Sequence, residues 1–292
     1  MRDQAEKLRE LVKKQKKSST GTGYQGIGRT QTLLDKETQV ITVVSGKGGV
    51  GKSALVVNLS GALHEMNSKV LLIDGNFGLF NLDILMGIRS NNKLEQLMLG
   101  EIPWEQAVVT VYPGLDLICG SKNSHGSDGY VQDNQGDKLK AGLQFISDIK
   151  KSANYDYIII DTGAGVNKTV FAFTELSDLS AVVTTPELTA VTDTYALIKS
   201  LIYMNISSEF KLIINRCLTK SEALSTWKNL SRVLKHYIDF DIDMLGYIFE
   251  DSQITNSIKS QRPALTFKSN TPAGLAIRSL ARELSTDRIT EA

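Results

Sequence analysis

The sequence predicts a doubly wound α/β fold, a mostly parallel sheet of about seven to eight strands flanked by helices. Three observations lead there. Short, nearly continuous apolar and β-branched runs recur along the chain, as in strands buried on both faces. Stretches with helical spacing separate those runs, the alternation that builds parallel sheets. A glycine-rich segment at 46–53 joins the first run directly to a helical stretch. That puts a turn beyond the carboxyl end of a strand, where such sheets bind ligands.

The elements follow in order. Residues 1–17 (MRDQAEKLRELVKKQKK) read as a short charged helix with Ala5, Leu8, Leu11 and Val12 on one face. So short a helix is marginal alone in water, so order is expected only when it docks. Residues 18–38, rich in Gly, Ser and Thr, read as a flexible linker, and the main domain is expected over 39–292. Strands are expected at 40–45, 69–74, 115–119, 155–161, 179–185, 210–215 and 244–249. Helices are expected near 52–66, 137–151, 188–204 and 221–236, and a last one over 272–285 opens on Pro272 and precedes a short polar tail.

Composition narrows the classes. The chain has 292 residues, is 41% hydrophobic and carries a formal net charge of +1, so bulk charge favours neither nucleic acid nor membrane. Cys119 and Cys217 each close an apolar run and read as buried reduced thiols. Three scattered histidines offer no metal-ligand spacing, no apolar run reaches membrane-span length, and no secretory signal is visible. The expected compartment is the cytoplasm.

The chemistry concentrates after the first strand. VITVVS runs into Gly46-Lys47-Gly48-Gly49-Val50-Gly51-Lys52-Ser53, a G-x-x-x-x-G-K-[ST] phosphate loop in its required strand–helix setting. Its glycines let backbone N–H groups turn onto phosphate oxygens, and the following helix adds partial positive charge. Lys52 is expected at the β- and γ-phosphates and Ser53 at Mg²⁺, with Ala54 completing the nucleotide set. In YDYIIIDTGAGV, four apolar residues lead to Asp161, a second expected Mg²⁺ ligand acting mainly through water.

The pattern K-G-G-V-G-K-S resembles the deviant Walker A motif of the ParA/MinD family. The resemblance extends over roughly 39–285 and implies an ATPase that uses ATP/ADP and Mg²⁺. It makes Lys47 the signature lysine, reaching the partner's phosphates in an ATP-dependent homodimer. LLIDGNFGLFNLDILMG is similar to the family's switch I segment, with Asp74 at the first acidic position as a metal-site residue and Gly78, Leu79, Asn81 and Asp83 matching further on. Asn76 stands where the family carries the aspartate that orients the attacking water, which implies slow hydrolysis with binding intact. Thr185 and Pro186 are placed near the nucleotide, and Asn215, followed by Arg216, where an asparagine reads adenine. Phe249 replaces the usual proline of the base-covering loop, with Asp251 beyond it.

The N-terminus narrows the resemblance further. Asp3-Gln4-Ala5-x-x-Leu8-Arg9 is similar to the D-Q-A-x-x-L-R segment of the FlhG (YlxH) regulators of flagellar number. That implies docking on the GTPase FlhF and stimulation of its GTP hydrolysis, with C-ring proteins of the basal body as further partners. Family members usually end in a basic amphipathic helix that lies on the membrane, whereas LARELSTDRITEA has mixed charge and no aromatic residue. Peripheral membrane attachment is therefore open. The alternative readings are a MinD-type division-site ATPase and a ParA-type DNA-partitioning ATPase. Near-neutral charge taken together with a final segment that is not Lys/Arg-rich argues against the DNA-partitioning reading, and nucleic acid is not an expected partner.

Overall fold

The computed structural model describes residues 37–76, 82–89, 91, 93–120, 139, 141–152, 154–254 and 268–290. The expected helix at 1–17, the linker up to residue 36, and Gly78, Leu79 and Asn81 lie outside the described residues. The chain runs β1 (Gln39–Ser45), α1 (Lys52–Glu65), β2 (Val70–Gly75), α2 (Leu82–Met86), α3 (Leu94–Met98), α4 (Trp104–Ala107), β3 (Val108–Tyr112) and β4 (Leu115–Ile118). It continues through α5 (Gln144–Ser152), β5 (Tyr157–Ala164), α6 (Lys168–Glu175), β6 (Leu179–Thr184), α7 (Leu188–Tyr203), β7 (Glu209–Cys217), α8 (Lys220–Ile238), β8 (Asp243–Phe249) and α9 (Pro272–Thr290).

The eight strands form one sheet in the order β3-β4-β2-β5-β1-β6-β7-β8. All pairs are parallel except β3–β4. The central strands alternate between two buried faces. Ile41, Val43, Leu72 and Ile159 pack toward α1 and α9. Val40, Leu71, Ile73, Ile158 and Ile160 pack on the opposite side with Phe145 and Ile149 of α5 and Phe173 of α6. Val44, Val182, Leu212 and Ile214 meet Leu197 and Leu201 of α7 and Leu230 and Leu234 of α8. Two-sided burial is what makes these strands read as continuous apolar runs.

Several expectations change, and the helices α2, α3, α4 and α6 were not among those expected. The β3 strand was not among those expected, and its residues are only half-buried or exposed because it pairs antiparallel at the sheet's edge. The polar tail expected after residue 285 is helical instead, since α9 runs to Thr290. Leu284 is buried within the core, and Ser285 and Thr286 bond back to the carbonyls of Ala281 and Arg282, so the last polar residues continue the turn that the core already holds. No described helix is long and apolar enough to cross a membrane.

Candidate functional site: a phosphate cradle at the centre of the sheet

The strand order places β1 between β5 and β6, so three carboxyl ends open onto one crevice. The glycine loop leaves β1 there. Gly49 and Gly51 have φ of 79° and 94°, the left-handed region that a side chain resists. Gly46 is required for another reason. A Cβ at that position would lie 2.1 Å from the Asp193 carbonyl oxygen, so the loop begins pressed against the backbone of α7.

Helix α1 starts at Lys52 with Gly51 as its N-cap and no side-chain cap. By contrast, α6 is capped by Asn167 and α8 by Thr219. The first-turn N–H groups of α1 are therefore left to an anion at the loop, where the helix dipole also favours negative charge. Lys52, buried, donates to Ser45 Oγ at 2.9 Å, and Ser45 Oγ donates to the Lys47 carbonyl at 2.8 Å. Burial lowers the Lys52 pKa, opposed by the nearby Asp161 carboxylate.

Parallel pairing sets Asp74 of β2 level with Asp161 of β5. Burial pushes the Asp161 carboxyl up to about 6, opposed by a hydrogen bond from Ser53 and by the charge of Lys52. Asp161 Oδ1 is buried with no hydrogen-bond partner. A stranded carboxylate oxygen beside a serine hydroxyl suits a hard cation that keeps much of its water, so the residues fit Mg²⁺. Among the described residues no group of three or more His, Cys, Asp or Glu is placed to hold a metal. Asp74, the other residue expected at the metal, also receives backbone hydrogen bonds. Its Oδ1 accepts from Asn76 N at 3.3 Å and its Oδ2 from Leu82 N at 3.2 Å, so it ties the β2 end to the start of α2. Asn76 Oδ1 lies 3.2 Å from where a Cβ on Gly163 would be, which puts the amide against the last residues of β5, just past Asp161.

The two loop lysines diverge. Lys47, with a side chain 35% exposed, bonds Glu187 Oε2 at 2.8 Å and Thr189 Oγ1 at 2.7 Å at the start of α7. Thr185, just before, has a buried hydroxyl with no partner. On the other flank, Asn215 and Arg216 of β7, Ile248 and Phe249 of β8 and Leu55 of α1 line a pocket that opens beside Gly51. Asp251 also lines it, and its Oδ2 is buried without a partner.

The structure thus gathers Gly46 to Ala54, Asp74, Asn76, Asp161, Asn215 and Arg216 around one crevice, while Asp3, Gln4, Ala5, Leu8 and Arg9 lie outside the described residues. Sequence reasoning missed Ser45, Glu187 and Thr189. Ser45 was findable as the hydroxyl that ends the strand before the loop. Glu187 and Thr189 gave no signal, because their role depends on α7 starting beside the loop.

Fold and site define a P-loop protein built to hold a nucleoside polyphosphate with a divalent cation. A family model described as "AAA domain" matches residues 38–214. The flagellum site-determining protein YlxH of Helicobacter pylori is 33% identical over 226 residues, covering 77% of this chain and 74% of that protein. The antiactivator FleN of Pseudomonas aeruginosa is 30% identical over 247 residues, 84% of this chain and 86% of that one. Among solved structures, septum site-determining protein MinD complexed with Mg-ADP from Pyrococcus horikoshii superposes with a TM-score of 0.71 at 26% identity, covering 87% of this chain and 99% of that one. The chain belongs to the MinD/ParA family of P-loop ATPases, in the group that contains YlxH (FlhG) and FleN.

Proposed function

We propose that this protein is an ATP-driven dimerisation switch that regulates flagellar number or placement. The observation that carries the reading is the division of labour between its two loop lysines. Lys52 is enclosed beside Ser45 and Asp161, suited to bound phosphates. Lys47 stands at the mouth on an exposed glutamate, a contact that water and salt weaken, so it is free at little cost to reach another molecule. Exposed Val166, on the loop after β5, and exposed Leu188, the first residue of α7 next to Glu187, supply apolar surface.

In this mechanism Lys52 and the N–H groups of the loop bind and orient the phosphates. Ser53 and Asp161 hold Mg²⁺, which supplies charge neutralisation at the phosphates, and Asp74 fixes the switch I turn. Asn76 positions water through its amide but takes up no proton, so hydrolysis is slow. Asn215 contacts adenine with the amide hydrogen and lone pair that its protein contacts leave over. The N-terminal segment bearing Asp3, Gln4, Ala5, Leu8 and Arg9 engages FlhF and stimulates its GTPase, with C-ring proteins as further partners and the cell membrane as a place of peripheral attachment. The name of one relative, a flagellum site-determining protein, supports the flagellar part.

Sedimentation of the full chain with ATP or ADP and Mg²⁺ tests the switch. A dimer with ATP that Lys47→Ala abolishes is expected. Equal sedimentation with both nucleotides overturns it. A GTPase assay of FlhF with a peptide of residues 1–20 tests the partner separately, and no stimulation at concentrations where the peptide binds removes that claim alone.

A further inference from the structure

Asn215 lies where β7 leaves regular pairing. Ile214 pairs with Tyr247 and the next pair is Cys217 with Phe249, so Asn215 and Arg216 together face Ile248 alone. This is a β-bulge, a device that re-aims a side chain. Arg216 has φ of 57°, a left-handed conformation uncommon for a residue with a side chain and tolerated where the surroundings hold it. Its N–H donates to Asn215 Oδ1 at 2.9 Å, which locks the amide's orientation. The amide then reaches the glycine loop, where Nδ2 donates to the Val50 carbonyl at 2.8 Å. The loop accommodates it. A Cβ on Gly51 would lie 2.5 Å from that same Nδ2, so the amide fills the space that the missing side chain leaves.

The peptide between Val50 and Gly51 is one trans, planar unit. Pinning its carbonyl toward β7 turns the Gly51 N–H the opposite way. We propose that Asn215 is a positioning residue for the phosphate cradle, holding the Val50–Gly51 peptide so that its N–H faces the bound phosphates. This rests on the reading of the loop as a Mg²⁺–polyphosphate site. It gives Asn215 a part beyond any contact with a base, and links the base-side pocket mechanically to the phosphates.

The test uses Mg²⁺–tripolyphosphate, a ligand with neither base nor sugar, alongside Mg²⁺–ATP, titrated calorimetrically into the full chain. Asn215→Ala strands the buried Val50 carbonyl and frees the peptide, so affinity for both ligands is expected to fall by about tenfold. Asn215→Ser keeps a polar side chain too short to bridge to Val50 and is expected to match it. Cooperative urea unfolding confirms that each variant is folded, and the serine variant carries the test if alanine does not fold. Weakened ATP binding with unchanged tripolyphosphate binding would mean a base contact only and overturns the positioning role. A wild-type chain that binds neither ligand defeats the P-loop reading itself, an outcome distinct from the first.

Discussion

The packing of Gly46 against α7 can be tested by adding one methyl group. In Gly46→Ala the new Cβ would sit 2.1 Å from the Asp193 oxygen, 2.2 Å from its carbonyl carbon and 2.6 Å from Thr194 N. To reach even the 3.4 Å of an ordinary contact, loop and helix must separate by about 1.3 Å. The obstacle is helical backbone, which cannot rotate away as a side chain can. Thr194 and Ala190 are also buried, so α7 cannot shift without opening the core. Overpacking usually costs about 1–3 kcal/mol, and a backbone obstacle puts this case near ~3 kcal/mol. In a domain of this size that lowers Tm by roughly 10 °C. The assay is urea unfolding followed by circular dichroism, read as a lower midpoint at constant slope. Gly48→Ala is the internal control, because a Cβ there meets nothing closer than 4.0 Å. Equal midpoints for the two variants would refute the close seating of α7 on the loop.

Three further outcomes are expected. Lys47→Ala should leave the unfolding free energy from urea titration within about 0.5 kcal/mol of wild type, because its ion pair is solvent-exposed, while abolishing ATP-dependent dimerisation; a large stability loss would make Lys47 structural. Asn76→Asp should raise single-turnover phosphate release by roughly tenfold or more, and an unchanged rate would remove Asn76 as the cause of slow hydrolysis. The thiols should resist alkylation at pH 8, since burial pushes Cys119 up to about 11 and Cys217 up to about 12, leaving a thiolate fraction of about one in a thousand or less. Both shifts are upward, so the folded state holds these protons more tightly than the unfolded chain, and stability should fall as pH rises above 9 toward 11. Rapid native-state labelling at pH 8 would contradict that burial.

Most of the fold was legible because its central strands are buried on both faces, which leaves a continuous signal in runs such as VITVVS and LSAVVTT. Elements that lack two buried faces escaped. VVTVY of β3 lies at the edge, and KTVFAFTE of α6 is rich in β-branched and aromatic residues that disguise a helix held by its Asn167 cap and by Phe173 in the core. The phosphate loop could be read directly because its chemistry is contiguous. Its supports could not. The bonds from Lys47 to Glu187 and from Asn215 to Val50 span 140 and 165 residues, and such pairs meet only because β6 and β7 follow β1 across the sheet.

The uncapped start of α1 has a thermodynamic consequence. A helix end whose donors are left for a ligand is a local deficit in the free protein, so the folded state gains whatever binding supplies. At a ligand concentration one hundred times Kd, that gain is about 2.7 kcal/mol, a sizeable share of the total stability of an ordinary domain. The resistance of this chain to unfolding and proteolysis would then rise with the concentration of whatever anion fills the loop.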